Sequence, residues 1–354
     1  MKNLLFITAF PPNNKSGGQT LSLDTIKDLS KKYIIDLIYF DYKNHTPEKD
    51  MPVNVIKNFK VNNFNCLLKI DAHPVFTRRF NKNILRCLRN IALNYDVLFF
   101  DYSQTGLYAA YLEHPCKVLR LHDVMFQKFS RKNRIFKPWI KLTEKKTLLS
   151  VNKVFVLSQK DADIVKKIYN MDVHFTDVYI KDFVFFDIPE NINNFVFYGV
   201  WSRPENLDGL LWFIKKVPPL ISPELKIKFS VMGGALEKKI EDALLKPAGF
   251  EYLGFCENPL DVIYSASALI APVFTGAGVK IKVIDAFTTG TPVIGTEAAF
   301  EGLPAPRNLA YMAHKPREYA DVINKFQPLT RAQKEENAAA FMAMYGGRGL
   351  SRFL

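Results

Sequence analysis

The stretch "GAGVKIKVIDAFTTGTPVIGT", Gly276 to Thr296, joins a glycine loop, two lysines and an aspartate to a helical pattern and then a short apolar strand. The preceding run "ALIAPV" ends at Val273, so Phe274–Gly278 reads as a loop and the helix as starting near Val279. Val279, Val283, Ala286 and Phe287 fall on one apolar face, while Lys282 and Asp285, three apart, share another. Gly276 and Gly278 permit a left-handed backbone and close approach of a ligand. Unpaired N–H groups at a helix start favour an anion. Lys280 and Lys282 add charge suited to a diphosphate, and Asp285 can accept hydrogen bonds from a ribose diol. Taken by itself, the loop is equally compatible with plain turn chemistry and a surface Lys282–Asp285 pair.

Outward from this stretch the same alternation continues in both directions. The strand candidates are "NLLFITA", "IIDLIYF", "YDVLFFD", "KVLRL" and "KVFVL" in the first half, then "NFVFYG", "LKIKFSVMG", "ALIAPV" and "TPVIG". Near-continuous apolar strands separated by amphipathic helices are buried on both faces, which means parallel sheets and two doubly wound α/β domains. The domains are expected at 1–184 and 185–335, divided near "KDFVFFDIPENINN". A helix and tail at 336–354 follow, and the sequence leaves open whether they return to the first domain.

At 354 residues, two domains are the natural size, and 48% hydrophobic with 23% charged residues describes an ordinary globular protein. No apolar run reaches the ~18 residues of a membrane span. The opening "MKNLLFITAFPP" reads as a first buried strand and not a signal peptide. Four scattered cysteines are read as reduced thiols of a cytoplasmic protein. Residues 1–180 hold 29 Lys and Arg against 16 Asp and Glu, and the remainder 19 against 19, so the whole net charge of +13 lies in the first half. A polyanionic partner, nucleic acid or anionic lipid, follows from that asymmetry.

Three blocks occur in order: "FVFYGVWSRPENLDGLLWFIKKVPPLI" (Phe195–Ile221), "LGFCENPLDVIYSASALIAPV" (Leu253–Val273) and "GAGVKIKVIDAFTTGTPVIGTEAAFEGL" (Gly276–Leu303). Together they resemble the donor domain of glycosyltransferases of the GT-B fold, the large retaining family numbered four (glycosyl transferases group 1). The resemblance implies two Rossmann-like domains facing a cleft that holds a nucleotide-sugar donor, such as a UDP- or GDP-sugar, with no further cofactor and no metal. It implies that Gly199 lies beside the diphosphate and that Phe255 and Cys256, after Gly254, meet the nucleobase. Thr275, Gly276, Ala277, Gly278 and Val279 would cradle phosphate or sugar, Lys280 and Lys282 would neutralise it, and Asp285 would bind ribose. The chain departs from the family in three places. Asp285 replaces the usual glutamate, the earlier acidic position is Ala277, and Arg203 alone stands near the usual basic pair.

In the first half, Gly17 and Gly18 resemble the family's N-terminal loop, which reaches the donor diphosphate. His122, at the end of "KVLRL", resembles its active-site histidine. Asp123 is expected to orient His122, touch the acceptor or cap a helix, with Asp101 a weaker candidate. The retaining reaction needs no strong general base, because the leaving diphosphate can take the acceptor proton. "DAD" at Asp161–Asp163 is read as helix-start acidity behind Ser158, not a metal site.

The implied acceptor is a glycan or lipid-linked glycan of bacterial-type surface polysaccharide assembly. Arg78, Arg79, Lys82, Arg86 and Arg89, interleaved with Phe76, Phe80, Ile84, Leu85 and Leu88, are expected to dock on an anionic membrane face. Arg131, Lys132 and Arg134 join them, with Phe136 and Trp139 as anchors. The alternatives are a basic nucleic-acid-binding protein, for which no recognised motif is present, and a nucleotide-sugar epimerase or phosphorylase of similar fold.

Overall fold

The structure, a computed structural model of the whole chain, describes all residues except 42–44, 62–71, 131–136, 179, 189–192, 276–277, 305 and 347–348. The chain divides into two compact units, Met1–Tyr179 with Gly347–Leu354, and Ile180–Gly346.

The first unit is built on a parallel sheet of seven strands: β1 (Lys2–Thr8), β2 (Tyr33–Phe40), β3 (Asn54–Phe59), β4 (Val97–Asp101), β5 (Lys117–Arg120), β6 (Lys153–Val156) and β7 (His174–Phe175). Their order across the sheet is 3-2-1-4-5-6-7. Alternation along β1 feeds two cores. Leu5 and Ile7 pack into one face with Phe40, Phe100 and Leu119, and Leu4 and Phe6 into the other with Phe99 and Phe155. An apolar run is therefore needed, because neither face meets water.

The second unit repeats the plan with β8 (Asn194–Tyr198), β9 (Lys228–Met232), β10 (Phe250–Gly254), β11 (Ala268–Ala271), β12 (Val293–Gly295) and β13 (Ala310–Met312), in the order 10-9-8-11-12-13. Both sheets reverse direction beside their first strand, between β1 and β4 and between β8 and β11. In such sheets ligands bind at the carboxyl edge of that switch point.

The chain end differs from the expected 336–354 segment. Helix Arg331–Tyr345 belongs to the second unit, where Phe341 packs edge-on against Phe287 at 5.3 Å. Only the last residues join the first unit. There Ser351 N and Oγ both donate to Asp28 at 2.9 Å, and Tyr33 Oη donates to the Leu354 carbonyl at 2.7 Å.

The apolar residues of the basic stretch 76–90 are not available to a membrane. Phe76, Phe80, Ile84, Leu85 and Leu88 all lie in the first unit's core. Arg79 is buried as well, its Nε donating to the Ala9 carbonyl at 2.8 Å and its guanidinium 4.4 Å from the Phe10 ring centre. Trp139 is half-buried, edge-on to His73. Arg131, Lys132, Arg134 and Phe136 lie outside the described residues. Among the described residues no helix is long and apolar enough to cross a membrane.

Candidate functional site

At the carboxyl edge of the second sheet, two helices begin side by side at the switch point. One, Pro204–Lys216, starts behind Arg203 after β8, with proline in its first turn. The other, Ile281–Thr288, starts behind Lys280 after β11. The helix after the glycine loop therefore begins one turn-fraction later than Val279, and Gly278, at φ +75°, supplies the left-handed bend before it. Gly276 and Ala277 lie outside the described residues. Val283, Ala286 and Phe287 are fully buried, as the apolar face requires.

The two helix starts are tied together by Lys282. Its Nζ donates to Asn206 Oδ1 at 2.9 Å, and Asn206 Nδ2 donates in turn to the Val200 carbonyl at 3.0 Å. Burial pushes the Lys282 ammonium down to about 7; Lys280 and Arg203 push it the same way, and Glu205 opposes them. Lys280 Nζ donates to the Gly278 carbonyl at 2.6 Å. Arg203, Lys280 and Lys282 thus converge on two helix N-termini, with Glu205 as the carboxylate acting against them. An anion placed there relieves mutual repulsion among cations, which is what a diphosphate site requires.

The neighbouring strand ends are shaped by close backbone approach. Gly199 N donates to the Met232 carbonyl at 3.2 Å, and a Cβ on Gly233 would lie 1.9 Å from the Gly199 carbonyl oxygen. Gly233 N donates to the Gly254 carbonyl at 2.7 Å, bringing the ends of β8, β9 and β10 together. Phe255, just beyond, is 59% exposed, and Thr275 is also exposed. Burial raises the Cys256 thiol, so it stands protonated, 3.9 Å from the Gly254 carbonyl. Asp285 is buried at the helix rather than open at its surface, and lies near enough to Tyr198 to help burial raise that phenol. Val279 is half-buried beside it in the chain.

At the carboxyl edge of the first sheet, Asp101 closes β4 with no exposure at all. Arg120 Nε and Nη2 reach Asp101 Oδ1 at 2.9 and 2.7 Å, and His122 Nε2 reaches the same oxygen at 2.8 Å. Ser22 and Thr8 hydroxyls donate to Oδ2 at 2.5 and 3.1 Å. Burial raises the Asp101 pKa, but Arg120, His122 and Ser22 outweigh it and hold the carboxyl well below its usual range. Burial pushes the His122 imidazole down, against Asp101.

The His122 ring stacks on Tyr102, centroids 3.6 Å apart and 13° from parallel. Tyr102 itself has φ +77°. A Cβ on Gly18 would stand 2.6 Å from Tyr102 Oη, so the helix Gly17–Leu29 starts beside the stacked pair only because glycine is there. This brings Gly17, Gly18 and His122 to one place.

Asp123 does not orient His122. It pairs with Lys128 at 2.6 Å on the surface, and the orienting carboxylate is Asp101. The helix that follows is capped instead by Glu144, which accepts from Met125 N at 2.7 Å and Phe126 N at 2.9 Å. Asp161 lies in helix Gln159–Tyr169 with Ser158 as its cap, the Ser158 Oγ accepting from Asp161 N at 3.1 Å.

Sequence reasoning missed Asn206, Glu205, Tyr102 and Arg120. Arg120 carried a signal. An arginine at the end of an otherwise apolar buried strand needs a buried counter-charge, and "LFFD" on the neighbouring strand supplies one.

Residues 192–327 match the family model described as Glycosyl transferases group 1. A curated relative, an uncharacterized 44.6 kDa protein in the cps region of Klebsiella pneumoniae, is 30% identical over 241 residues. That alignment spans 61% of this chain and 61% of the relative. Among solved structures, WaaG, a glycosyltransferase involved in lipopolysaccharide biosynthesis, superposes with a TM-score of 0.71 at 15% identity, covering 99% of this chain and 98% of its own. A variant of S. aureus TarM, in complex with fondaparinux, alpha-GlcNAc-glycerol and UDP, gives 0.71 at 11% identity over 98% and 97%. Anabaena Alr3699/HepE with UDP and glucose gives 0.67 at 12% identity over 98% and 96%. The fold of the two parallel-sheet units is that of these proteins, GT-B.

Proposed function

We propose that this chain, whose second unit carries a glycosyl transferases group 1 domain in a GT-B fold, moves a sugar from a nucleotide-sugar donor to a glycan or lipid-linked glycan acceptor. One observation carries the reading: Arg203, Lys280 and Lys282 gather at two helix N-termini on the switch point of the second sheet. That gathering suits a diphosphate, and the cps-region relative and the lipopolysaccharide enzyme WaaG support a surface-polysaccharide acceptor. UDP in the TarM and HepE structures makes UDP-sugars the first donors to examine.

The chemistry is retaining. The acceptor oxygen bonds to the anomeric carbon as the bond from that carbon to the phosphate oxygen breaks on the same face, and the acceptor proton passes to the departing phosphate. The protein orients both partners and stabilises the charge that grows on the leaving group. Lys280, Lys282 and the helix N–H groups do this without a metal. On the first unit, His122, with Gly17 and Gly18 near it, is the candidate for contact with the transferred sugar.

A panel of nucleotides scored by thermal shift and calorimetry tests the reading, followed by turnover of the sugars carrying the winning base. A rise in melting temperature with one nucleoside diphosphate and transfer from its sugar support it. No shift with any nucleotide overturns it.

The enzyme is further proposed to act at the cytoplasmic membrane face, through a surface different from the buried stretch 76–88. Helix Lys137–Leu149 turns Lys141, Leu142, Lys145, Lys146 and Leu149 outward, a mixed basic and apolar face suited to anionic lipid.

A further inference from the structure

We propose that Asn206 is a positioning residue of the donor site: its neutral amide oxygen aims the Lys282 ammonium while leaving that ammonium's charge for a diphosphate. The proposal rests on the donor-site reading for its ligand, but the hold of Asn206 on Lys282 is tested without one.

The fold of the second unit places Asn206 from two directions. Gly199, directly after β8, leaves the room for it: a Cβ there would stand 3.0 Å from the Asn206 amide carbon and nitrogen. On helix Pro204–Lys216, Asn206, Gly209 and Trp212 follow at three-residue spacing, each beside the next on the helix surface. A Cβ on Gly209 would lie 2.0 Å from the Pro272 carbonyl oxygen, and the Trp212 ring meets Phe274 edge-on at 4.8 Å. The helix is thus pressed against the segment that leaves β11 and leads to Lys282.

The amide has one workable orientation. Asn206 Nδ2 donates to the Val200 carbonyl at 3.0 Å, and Lys282 Nζ donates to Asn206 Oδ1 at 2.9 Å. A carbonyl only accepts and an ammonium only donates, so turning the amide over would break both contacts. The Val200 carbonyl also accepts from Arg203 N at 3.2 Å. The turn that carries Arg203 and the amide that holds Lys282 therefore share one carbonyl.

Asn206 holds the ammonium without neutralising it. An aspartate here would also accept from Lys282, and would cancel its charge. Of the three N–H groups on Nζ, one goes to Asn206, and among the described residues no carboxylate forms an ion pair with Lys282. Burial holds the ammonium down at about 7, helped by Lys280 and Arg203 and opposed by Glu205, the neighbour of Asn206. Two N–H groups and an uncompensated charge remain. A diphosphate supplies the acceptors and the counter-charge together.

Full-length protein with isotope-labelled lysine, its Lys282 signal identified by Lys282→Met, gives the titration of this ammonium without ligand. Asn206→Leu removes the acceptor, and Asn206→Asp turns it into an anion of nearly the same shape. The Lys282 pKa should fall below the native value in Asn206→Leu and rise above it in Asn206→Asp. Equal titration in the three proteins, or shifts of one sign in both variants, overturns the proposal. Where Asn206→Leu does not melt cooperatively, Asn206→Ser, too short to reach Lys282, takes its place.

Calorimetry with UDP reads the ligand side. At pH 8 both variants should bind about tenfold to a hundredfold more weakly, Asn206→Leu for want of a placed cation and Asn206→Asp through repulsion. Native binding at that pH should take up a proton, and Asn206→Asp should take up little, because its ammonium is already formed. In the Lys282→Met background, Asn206→Leu should weaken binding no further. A further loss there marks a merely structural asparagine and overturns its action through Lys282. Failure of the native protein to bind any nucleoside diphosphate counts against the donor-site reading, and the lysine titration still decides whether Asn206 holds Lys282.

Discussion

Lys282 Nζ lies 2.9 Å from Asn206 Oδ1, which ties the first turn of helix Ile281–Thr288 to the first turn of helix Pro204–Lys216. Lys282→Ala removes a cation from the proposed diphosphate site and leaves Asn206 without this partner. Loss of a charge-assisted contact weakens nucleotide binding by about 1.5–3 kcal/mol. Asp285→Ala should weaken it as well, since Asp285 is placed on the same helix. Calorimetry with the preferred nucleotide checks both, in variants whose melting curves stay cooperative. Native affinity in both would remove this helix from the donor site.

The same lysine makes binding depend on pH. Burial, with Lys280 and Arg203 adding to it, holds Lys282 at about 7 against an unperturbed 10.5. A bound diphosphate favours the ammonium and raises its pKa again. Binding above pH 7 therefore takes up a proton, and affinity falls as pH rises, by at most about tenfold per pH unit. For the free protein the sign is opposite. The unfolded chain holds this proton more tightly, so the fold gains stability between pH 7 and 10.5 from this group. Calorimetry in two buffers of different ionisation enthalpy measures the uptake, which Lys282→Met should abolish. Binding that is flat from pH 6 to 9 contradicts the assignment.

The strands that the sequence displayed are those with two buried faces. β1, β2, β4, β5 and β6, and β8, β9, β11 and β12, all appear as apolar runs. The four strands that did not, β3, β7, β10 and β13, are the edges of the two sheets. β3, "NVIKNF", is largely exposed, and a strand with one neighbour has no need of a continuous apolar pattern. The donor-side loop was legible because glycine and lysine leave a local mark. The Asp101–Arg120–His122 cluster was not, because its members come from two strands and a loop, and only pairing of β4 with β5 brings them together. The basic stretch 76–90 misled for a related reason. Apolar residues interleaved with cations have the same spacing over a protein core as over a lipid surface.

Chelation should leave activity intact. Asp161 is committed to the start of its helix through Ser158, and Asp163 Oδ1 accepts from Gln159 Nε2 at 2.9 Å. In the proposed donor site, lysines and helix N-termini are the groups to meet the diphosphate charge. Turnover measured in EDTA should match that in buffer alone. Loss of turnover that Mg²⁺ or Mn²⁺ restores would assign the phosphate chemistry to a metal.

Helix Arg331–Tyr345 is held to the second unit by contacts that tolerate no extra atom. A Cβ on Gly290, at φ +67°, would lie 1.8 Å from the Lys334 carbonyl oxygen. Lys334 itself is buried, donating to the Ala266 carbonyl at 2.8 Å and to the Tyr264 carbonyl. Gly254 has a similar φ of +70°, but nothing lies within 4 Å of its missing Cβ. Gly254→Ala should cost only its backbone strain, about 1–2 kcal/mol. Gly290→Ala adds a collision with backbone and should cost clearly more. Equal denaturation midpoints for the two variants would show that the helix docks more loosely than this packing requires.

The final expectation concerns lipid. Leu142 and Leu149, two turns apart on helix Lys137–Leu149, are 68% and 63% exposed beside Lys141, Lys145 and Lys146. Lys146 Nζ reaches Tyr111 Oη at 3.1 Å, and the Tyr111 carbonyl accepts from Arg89 Nε at 3.2 Å. That chain of contacts joins the face to helix Lys82–Ile91, whose Lys82 and Arg86 are exposed, with Arg78 exposed just before it. Two large leucines cost free energy in water and find an apolar phase in a membrane, while each cation near an anionic surface contributes about 1 kcal/mol. Sedimentation with phosphatidylcholine vesicles, with and without phosphatidylglycerol, should recover the protein only with the anionic ones, and less of it as salt is raised. Leu142→Ser with Leu149→Ser should release it without lowering the melting temperature, because neither side chain is part of the core. Equal recovery with neutral and anionic vesicles at low salt, or full binding by the double variant, would remove this helix as the docking face and favour an acceptor met in solution.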